Sequence, residues 1–324
     1  MFPRYFGCTG PALLQPYGHA TADRHKTSEC QPVKYRIIHT TRYDYSEPVP
    51  MCYNLARLTP RACARQKLVT TQIDVEPVTP VHGRKRRDYF GNELTYFTIQ
   101  DPHRWLTVTV DSVVALSPPS HPRVADTPPW DDVRGTLHAA EDEDALIAYQ
   151  FVFDSRLVKA TPELCDYAKP SFPQGRPVLA AVLDLTKRIH HDFTYDPTAT
   201  TIATPLEEVM RQRRGVCQDF AHLEIGCLRA MGLAARYVSG YIFGGERAEG
   251  APLTGAWASH AWVSVFVPGH GWVDTDPTNN TLAGPDHITL AWGRDYEDVS
   301  PIRGVVLGGG QHSLTVSVDI SRQK

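Results

Sequence analysis

The stretch Gly215-Val216-Cys217-Gln218-Asp219-Phe220-Ala221-His222 places one cysteine where a helix is predicted to begin. The residues that follow carry one apolar stripe at helical spacing, and Gly232 is placed to end the helix. That stripe consists of Phe220, Leu223, Cys227, Leu228 and Met231. Unpaired amides and the dipole at a helix N-terminus favour an anion, so this position promotes the thiolate form of Cys217. Cys227, in contrast, lies in mid-helix on the apolar stripe and is expected in the core.

Two polar motifs follow on a predicted hairpin. Ser259-His260-Ala261-Trp262 opens its first strand, and Trp272-Val273-Asp274-Thr275-Asp276-Pro277-Thr278 forms its return strand. The turn Pro268-Gly269-His270-Gly271 joins them. A thiol, an imidazole and a carboxylate in this order are the components of an acyl-transfer site built on sulfur.

The carboxylate that meets His260 is predicted from the hairpin register. Counted back from the turn, His260 faces Asp276 to within a residue or two, and opposed partners lie about 5 Å apart. Asp274 and Asp276 alternate with Thr275 and so share a face. We prefer Asp276 because Pro277 ends the strand there, and Asp274 is the alternative. Two nearby histidines are weaker candidates, because one lies on the helix and the other at the turn: His222 and His270.

These motifs resemble those of the transglutaminase-like superfamily. The match includes Gly215-Val216-Cys217, Ser259-His260-Ala261-Trp262 and Asp276-Pro277-Thr278-Asn279. Residues 34–116, with Arg87-Asp88-Tyr89-Phe90-Gly91-Asn92, are similar to the N-terminal β-domain of bacterial members, and residues 293–304 to their C-terminal segment. The resemblance implies a papain-type triad in which Cys217 is the nucleophile, His260 the general base and acid, and Asp276 the group that orients the imidazole.

The chain divides into four predicted segments. Residues 1–32 are interpreted as a disordered extension, because they have no hydrophobic periodicity. Short runs of β-branched and aromatic residues in 34–116 predict an antiparallel β-sandwich. A proline-rich linker covers 117–132, and residues 133–324 are assigned to a transglutaminase-like catalytic core with its C-terminal segment. The fold class is therefore α+β, with a cysteine-bearing helix packed on an antiparallel sheet.

The net charge and the cysteine content of the chain indicate which partners and metal sites are not expected. The 324 residues carry a formal net charge of −3, which does not favour a nucleic-acid or membrane-surface partner. The basic run Arg84-Lys85-Arg86-Arg87 is interpreted as a solvated turn. Seven scattered cysteines contain no CxxC pair, so neither a zinc cluster nor a disulfide framework is predicted, and free thiols suit the cytoplasm.

Several groups are candidates for the hydrogen-bond donor that would stabilise an oxyanion. The backbone amide of Cys217 is one candidate, and side-chain candidates for this or for substrate contact are Gln212, Gln218, Tyr241 and Trp257. Arg294-Asp295-Tyr296 either lines the cleft or forms an internal salt bridge.

The predicted enzyme is a bacterial thiol acyltransferase or hydrolase that acts on a peptide or protein through a thioester. Calcium-dependent relatives carry acidic metal loops, and this sequence contains no such cluster, so we expect neither a metal nor another cofactor. Hydrolysis of a peptide or isopeptide bond, as in a cysteine protease or amidase, is the preferred reaction. Glutamine transamidation is one alternative, and a catalytically silent peptide-binding module of the same fold is another.

Overall fold

The computed structural model describes residues 31–77, 84–245 and 259–323. From Pro32 onward these residues belong to one compact unit. The prediction of disorder for residues 1–32 falls, except for its last two residues, outside the described part of the chain. Trp257 also lies outside it.

The N-terminal region is a sandwich of two antiparallel four-stranded sheets, as the sequence predicts. Side chains of β1 alternate between the core and solvent with a period of two, which is the pattern of a strand buried on one face. Both sheets contribute to one apolar core. The strands of this region are β1 (Val33–Val49), β2 (Met51–Ala56), β3 (Gln66–Glu76), β4 (Arg84–Arg87), β5 (Glu93–Ile99) and β6 (His103–Leu116).

The C-terminal segment returns to this sandwich. Strand β14 (Ile302–Leu307) pairs with β2, and β15 (His312–Gln323) pairs with β1 along its length. The sheet orders are β15-β1-β6-β3 and β14-β2-β5-β4. The sequence-based division assigns residues 133–324, including these two strands, to the core. The alternation of residues 313–320 predicts a strand, but it does not show that the partner strand lies in the sandwich.

The basic run is a strand rather than a solvated turn. Residues Arg84–Arg87 form β4 at the edge of the second sheet, where they pair with β5. All four side chains are exposed, and Lys85 forms an ion pair with Glu93 on the neighbouring strand. A charged edge strand of this kind discourages pairing with other chains.

In the core region, helices lie against a five-stranded antiparallel sheet with the strand order β12 (Thr281–Leu282), β11 (Gly271–Asp276), β10 (Ser259–Val267), β9 (Ala235–Ile242) and β13 (His287–Gly293). Its helices are α1 (Trp130–Ala139), α2 (Glu143–Tyr149), α3 (Pro162–Ala168), α4 (Val178–Asp192), α5 (Leu206–Gln212), α6 (Cys217–Ala230) and α7 (Tyr296–Val299). Its other strands are β7 (Thr194–Tyr195) and β8 (Arg214–Gly215). Short 3-10 turns occupy Val124–Asp126 and Lys169–Ser171, and β7 and β8 form a small parallel pair.

Helix α6 lies at the centre of this region. Its apolar side chains join those of α4 and of the sheet in one buried cluster, which includes Cys227. The helix ends as predicted, because Gly232 adopts a φ of +80° that other residues rarely take, and the amide of Leu233 donates to the carbonyl of Leu228. The predicted hairpin is also present, with β10 and β11 paired from Val263↔Thr275 to Val267↔Gly271. Among the described helices, none combines the length and apolar character needed to cross a membrane.

Candidate active site

The cysteine occupies the first position of α6, and Gly215 allows that geometry. A Cβ atom on Gly215 would lie 2.6 Å from Oδ2 of Asp219, so a larger residue would displace this side chain. Oδ2 of Asp219 accepts a hydrogen bond from the amide of Val216 at 2.8 Å and another from the hydroxyl of Thr200 at 2.6 Å. Asp219 thus caps the helix and fixes the turn that carries Cys217, whose side chain is partly exposed.

Backbone amides converge on the same position. The first amide in the helical ladder is that of Phe220, which donates to the carbonyl of Val216 at 3.1 Å. The amides of Cys217 and Gln218 precede it and point out of the N-terminus of the helix. This end of α6 can therefore stabilise negative charge on a group bound beside the sulfur.

His260 lies at the start of β10, and the structure brings it to Asp276 rather than to Asp274. Nε2 of His260 lies 2.9 Å from Oδ2 of Asp276, and their side chains are fully buried. Nδ1 is also buried and makes no hydrogen bond of ordinary geometry with the described residues. Cys217 nevertheless lies close enough to influence the ionisation of the imidazole. Asp274 accepts a hydrogen bond from the indole of Trp262 instead, at 3.1 Å.

Hydrogen-bond donors surround the Asp276 carboxylate. Oδ1 accepts the amides of Thr278 at 2.9 Å and Asn279 at 3.2 Å. Oδ2 accepts the side-chain amide of Asn279 at 2.7 Å and lies 3.2 Å from Nε2 of His287. These contacts, added to the one with His260, fix both oxygens and hold the carboxylate in its ionised form.

His287 is a part of the site that the sequence argument missed. Its Nδ1 accepts the backbone amide of Gly284 at 3.1 Å, so the proton of the neutral ring must lie on Nε2, where it is donated to Asp276. Trp262 packs against both imidazoles, stacked on His260 at 6.3 Å and edge-on to His287 at 5.3 Å. The only sequence signal for His287 is its position at the start of a strand, the same position that His260 has.

The electrostatics of the pair follow from these contacts. Burial opposes the charging of His260, but Asp276 and Cys217 outweigh it and raise the pKa of His260 to about 10. Burial alone would raise the pKa of Asp276, yet the charges and hydrogen bonds of His260 and His287 hold it well below its usual range. The arrangement thus favours a protonated His260 imidazole beside the Asp276 carboxylate.

The N-terminal sandwich supports β13, the strand that begins with His287. The side-chain amide nitrogen of Gln66 donates to the carbonyl of Thr289 at 2.6 Å, and its oxygen accepts the amide of Thr289 at 2.8 Å. The guanidinium of Arg65 donates to the carbonyl of Gly284 at 3.0 Å and to that of His287. Residues from the sandwich therefore fix the turn that positions His287.

The other predicted site residues have different positions. Tyr241 is not at the site: His260 pairs with Gly240, so the next residue points to the opposite face, where its hydroxyl contacts His39 at 3.0 Å. The side-chain amide of Gln212 donates to Glu208 within α5. Gln218 directly follows the thiol and is half-buried, so it is the side-chain candidate that the structure keeps beside Cys217.

The weaker candidates for the site, two histidines and Arg294, make contacts within the fold instead. Nε2 of His222 accepts the amide of Tyr296 at 3.1 Å, and burial lowers the pKa of this histidine to about 4. Arg294 forms an ion pair with Asp298 at 2.9 Å, which favours the internal salt bridge over a role in the cleft. His270 lies in the hairpin turn, where its amide donates to the carbonyl of Val267.

Comparison with known families agrees with this layout. Residues 35–115 match the family described as bacterial transglutaminase-like N-terminal region. Residues 167–277 match the transglutaminase-like superfamily core, a range that contains all three groups of the candidate site.

Two of the similar proteins match most of the chain, and a third matches about a third of it. An uncharacterized protein of Mycobacterium tuberculosis is 40% identical over 295 residues, which span 89% of this chain and 92% of that protein. The crystal structure of a candidate cysteine protease from Cytophaga hutchinsonii has the same fold, with a TM-score of 0.71, 21% identity and coverage of 90% and 91% of the two chains. A protein-glutamine gamma-glutamyltransferase of Pseudomonas aeruginosa is 33% identical over 120 residues, 36% of this chain and 17% of that protein.

Proposed function

The chain belongs to the transglutaminase-like superfamily, and from this premise we propose that it is a thiol enzyme that cleaves amide bonds in peptides or proteins. Cys217 is the nucleophile, His260 carries the proton and Asp276 orients the imidazole. The observation that supports this most strongly is the 2.9 Å contact between His260 and Asp276, which leaves the second ring nitrogen for the sulfur.

In the first half of the reaction, the Cys217 thiolate attacks the amide carbon and a carbon–sulfur bond forms. The carbonyl oxygen takes the negative charge, and the amides of Cys217 and Gln218 stabilise it. When this intermediate collapses, the carbon–nitrogen bond breaks and the His260 imidazolium gives its proton to the departing amine. The products are a free amine and a thioester on Cys217.

In the second half, water attacks the thioester and neutral His260 accepts its proton. The carbon–sulfur bond breaks, a carboxylic acid leaves, and the thiolate–imidazolium pair is restored. Asp276 stays ionised throughout and keeps Nε2 of His260 protonated, so Nδ1 remains the nitrogen that exchanges the proton. We propose water as the acceptor because the sequence contains no acidic metal loop like those of the calcium-dependent relatives. We propose the cytoplasm as the location because the scattered cysteines suit a reducing compartment.

Transamidation is the second candidate, since the chain shares a segment of 120 residues with a protein-glutamine gamma-glutamyltransferase. The full chain is incubated with a fluorescent primary amine and a glutamine-bearing peptide, and both amine incorporation and release of free acid are measured. Release of acid with little incorporation is expected. Dominant incorporation would overturn the choice of hydrolysis, although not the thioester mechanism.

The thiol itself is tested by alkylation with iodoacetamide followed by peptide mapping. Cys217 should react far faster than the other partly exposed thiols, and Cys217→Ala should reduce turnover by on the order of 10⁴-fold or more. Cys165→Ala is the matched control, because Cys165 is also a free, partly exposed thiol but lies on α3. Uniform slow labelling of all thiols would favour a silent binding module.

A further inference from the structure

A buried arginine outside the candidate active site makes no polar contact that matches its charge. Arg236 on β9 is 9% exposed, and its Nε has no hydrogen-bond partner. Among the residues that the structure describes, its guanidinium forms neither a hydrogen bond nor an ion pair. Removing a charge from water is costly unless an opposite charge or acceptor compensates for it.

Two indole rings hold this guanidinium in place. Trp272 lies on one side at 4.1 Å and Trp292 on the other at 3.8 Å, measured from the guanidinium carbon to each ring centre. Arg61 stacks on Trp292 as well, at 3.5 Å. Stacking stabilises the cation but leaves its N–H groups, which lie in the plane of the guanidinium, without acceptors. Burial lowers the pKa of Arg236 to about 9, with the charge of Asp274 opposing the shift, so the group remains charged at neutral pH.

Arg236 lines a cavity of about 670 Å³, which is within the size range of small-molecule sites. The proline-rich segment 117–122 also lines this cavity. Arg65 and Asp274 complete the charged lining, so the side-chain charges of these three residues sum to about +1. Cys217, His260 and Asp276 are not part of the lining, which makes this a second site.

We propose that this cavity binds an organic carboxylate, with the acid group on the guanidinium of Arg236 and an apolar body against the indoles and the prolines. A guanidinium stacked on two rings has little freedom to turn, and its N–H groups form the planar fork that a carboxylate accepts in a bidentate manner. The acid is either a small free molecule or the C-terminus of a peptide, and both present the same carboxylate next to an apolar group.

The test uses the full chain and measures tryptophan fluorescence, since Trp272 and Trp292 flank the guanidinium. Phenylacetate is the free-acid probe, N-acetylphenylalanine represents a peptide C-terminus, and phenylacetamide is the neutral control. One of the two acids should bind saturably, with a Kd of about 0.01–1 mM, and the amide should not. The tighter acid identifies the source of the ligand. Equal binding of acid and amide, or no binding of either acid, would overturn the proposal.

Variants separate a binding site from a purely structural stack. Arg236→Met should weaken binding of the acid by at least about tenfold, whereas Arg236→Lys, which retains the charge, should weaken it less. Arg61→Met is the matched control: Arg61 stacks on the same Trp292, but its guanidinium bonds to Asn92 and does not line the cavity. Equal losses in the two methionine variants would show that the arginines only stabilise the stack. If Arg236→Met does not fold, the comparison of acid with amide on the unaltered chain still decides the question.

Discussion

Replacement of Glu224 by glutamine should make the protein more stable at alkaline pH and remove a large part of its pH dependence. Glu224 lies on α6 with its side chain fully buried. Its Oε1 accepts hydrogen bonds from Thr186 at 2.8 Å and Thr275 at 3.1 Å, while Oε2 has no partner. Glutamine keeps the accepting oxygen and places a neutral NH₂ group where the unpartnered oxygen was, so it mimics the protonated acid.

The size of the effect follows from the ionisation of this carboxyl. Burial raises the pKa of Glu224 from 4.5 to about 8, with Asp276 adding to the rise and the two threonines opposing it. Between these values the folded protein holds a proton that the unfolded chain has lost, so stability falls as the pH rises through this window. At about 1.4 kcal/mol per pH unit, the loss approaches about 5 kcal/mol by pH 8 and is absent below pH 4.5.

The assay is urea denaturation of the wild type and Glu224→Gln at pH 5, 7 and 9. The variant should gain little at pH 5 and about 3–5 kcal/mol at pH 9, the lower figure allowing for local relaxation around the charge. Glu207→Gln is the matched control, since Glu207 is an exposed acid on α5 and its loss should leave the pH profile unchanged. Parallel profiles for the wild type and Glu224→Gln would refute the assignment of a neutral buried acid.

Three further predictions concern the site and the sheet that carries it. His287→Ala removes one donor from Asp276 and should lower kcat by about tenfold; the pH profile of thiol alkylation should shift as well, and an unchanged profile would make His287 purely structural. Asp276→Ala should reduce turnover far more than Asp274→Ala, because of these two acids only Asp276 contacts the imidazole of His260; the reverse order would contradict this pairing. Gly240→Ala should destabilise the fold by at least about 1–3 kcal/mol, since its Cβ would lie 2.2 Å from a carbonyl of β13. Gly284→Ala, where a Cβ meets no atom within 4 Å, is the control in the same denaturation assay, and equal stability of the two variants would contradict the clash.

Each of the three site residues identified from the sequence lies in a recognisable local sequence pattern. Cys217 follows a glycine at a helix start, His260 opens a strand, and Asp276 precedes a proline at a strand end. Because a tight turn fixes the register of a hairpin, the pairing of His260 with Asp276 could also be predicted to within a residue or two. The core helix and the N-terminal sandwich were predictable for the same reason, since both depend on hydrophobic periodicity within short segments.

The residues that the sequence misplaced depend on which strands become neighbours. Tyr241 was a candidate for the site, but β9 pairs with β10 in the register that puts Gly240, and not Tyr241, on the face of His260. His287 was missed because β13 joins the sheet on the far side of β9, away from β11, which carries Asp276. Strand propensity is a local property, whereas the order of strands is decided by burial over the whole chain.

The same non-local contacts give the N-terminal sandwich a role in the site. Tyr35 on β1 donates to Asp286 at 3.0 Å, next to His287, and Gln66 on β3 bonds to both backbone groups of Thr289. These partners are more than 200 residues apart in sequence. His287 donates the proton on its Nε2 to Asp276, the carboxylate that contacts His260. By fixing β13, the sandwich therefore helps to hold this carboxylate in place. The last two strands, β14 and β15, pair with strands of the sandwich. The core is therefore joined to the sandwich both by the chain that precedes it and by the chain that follows it.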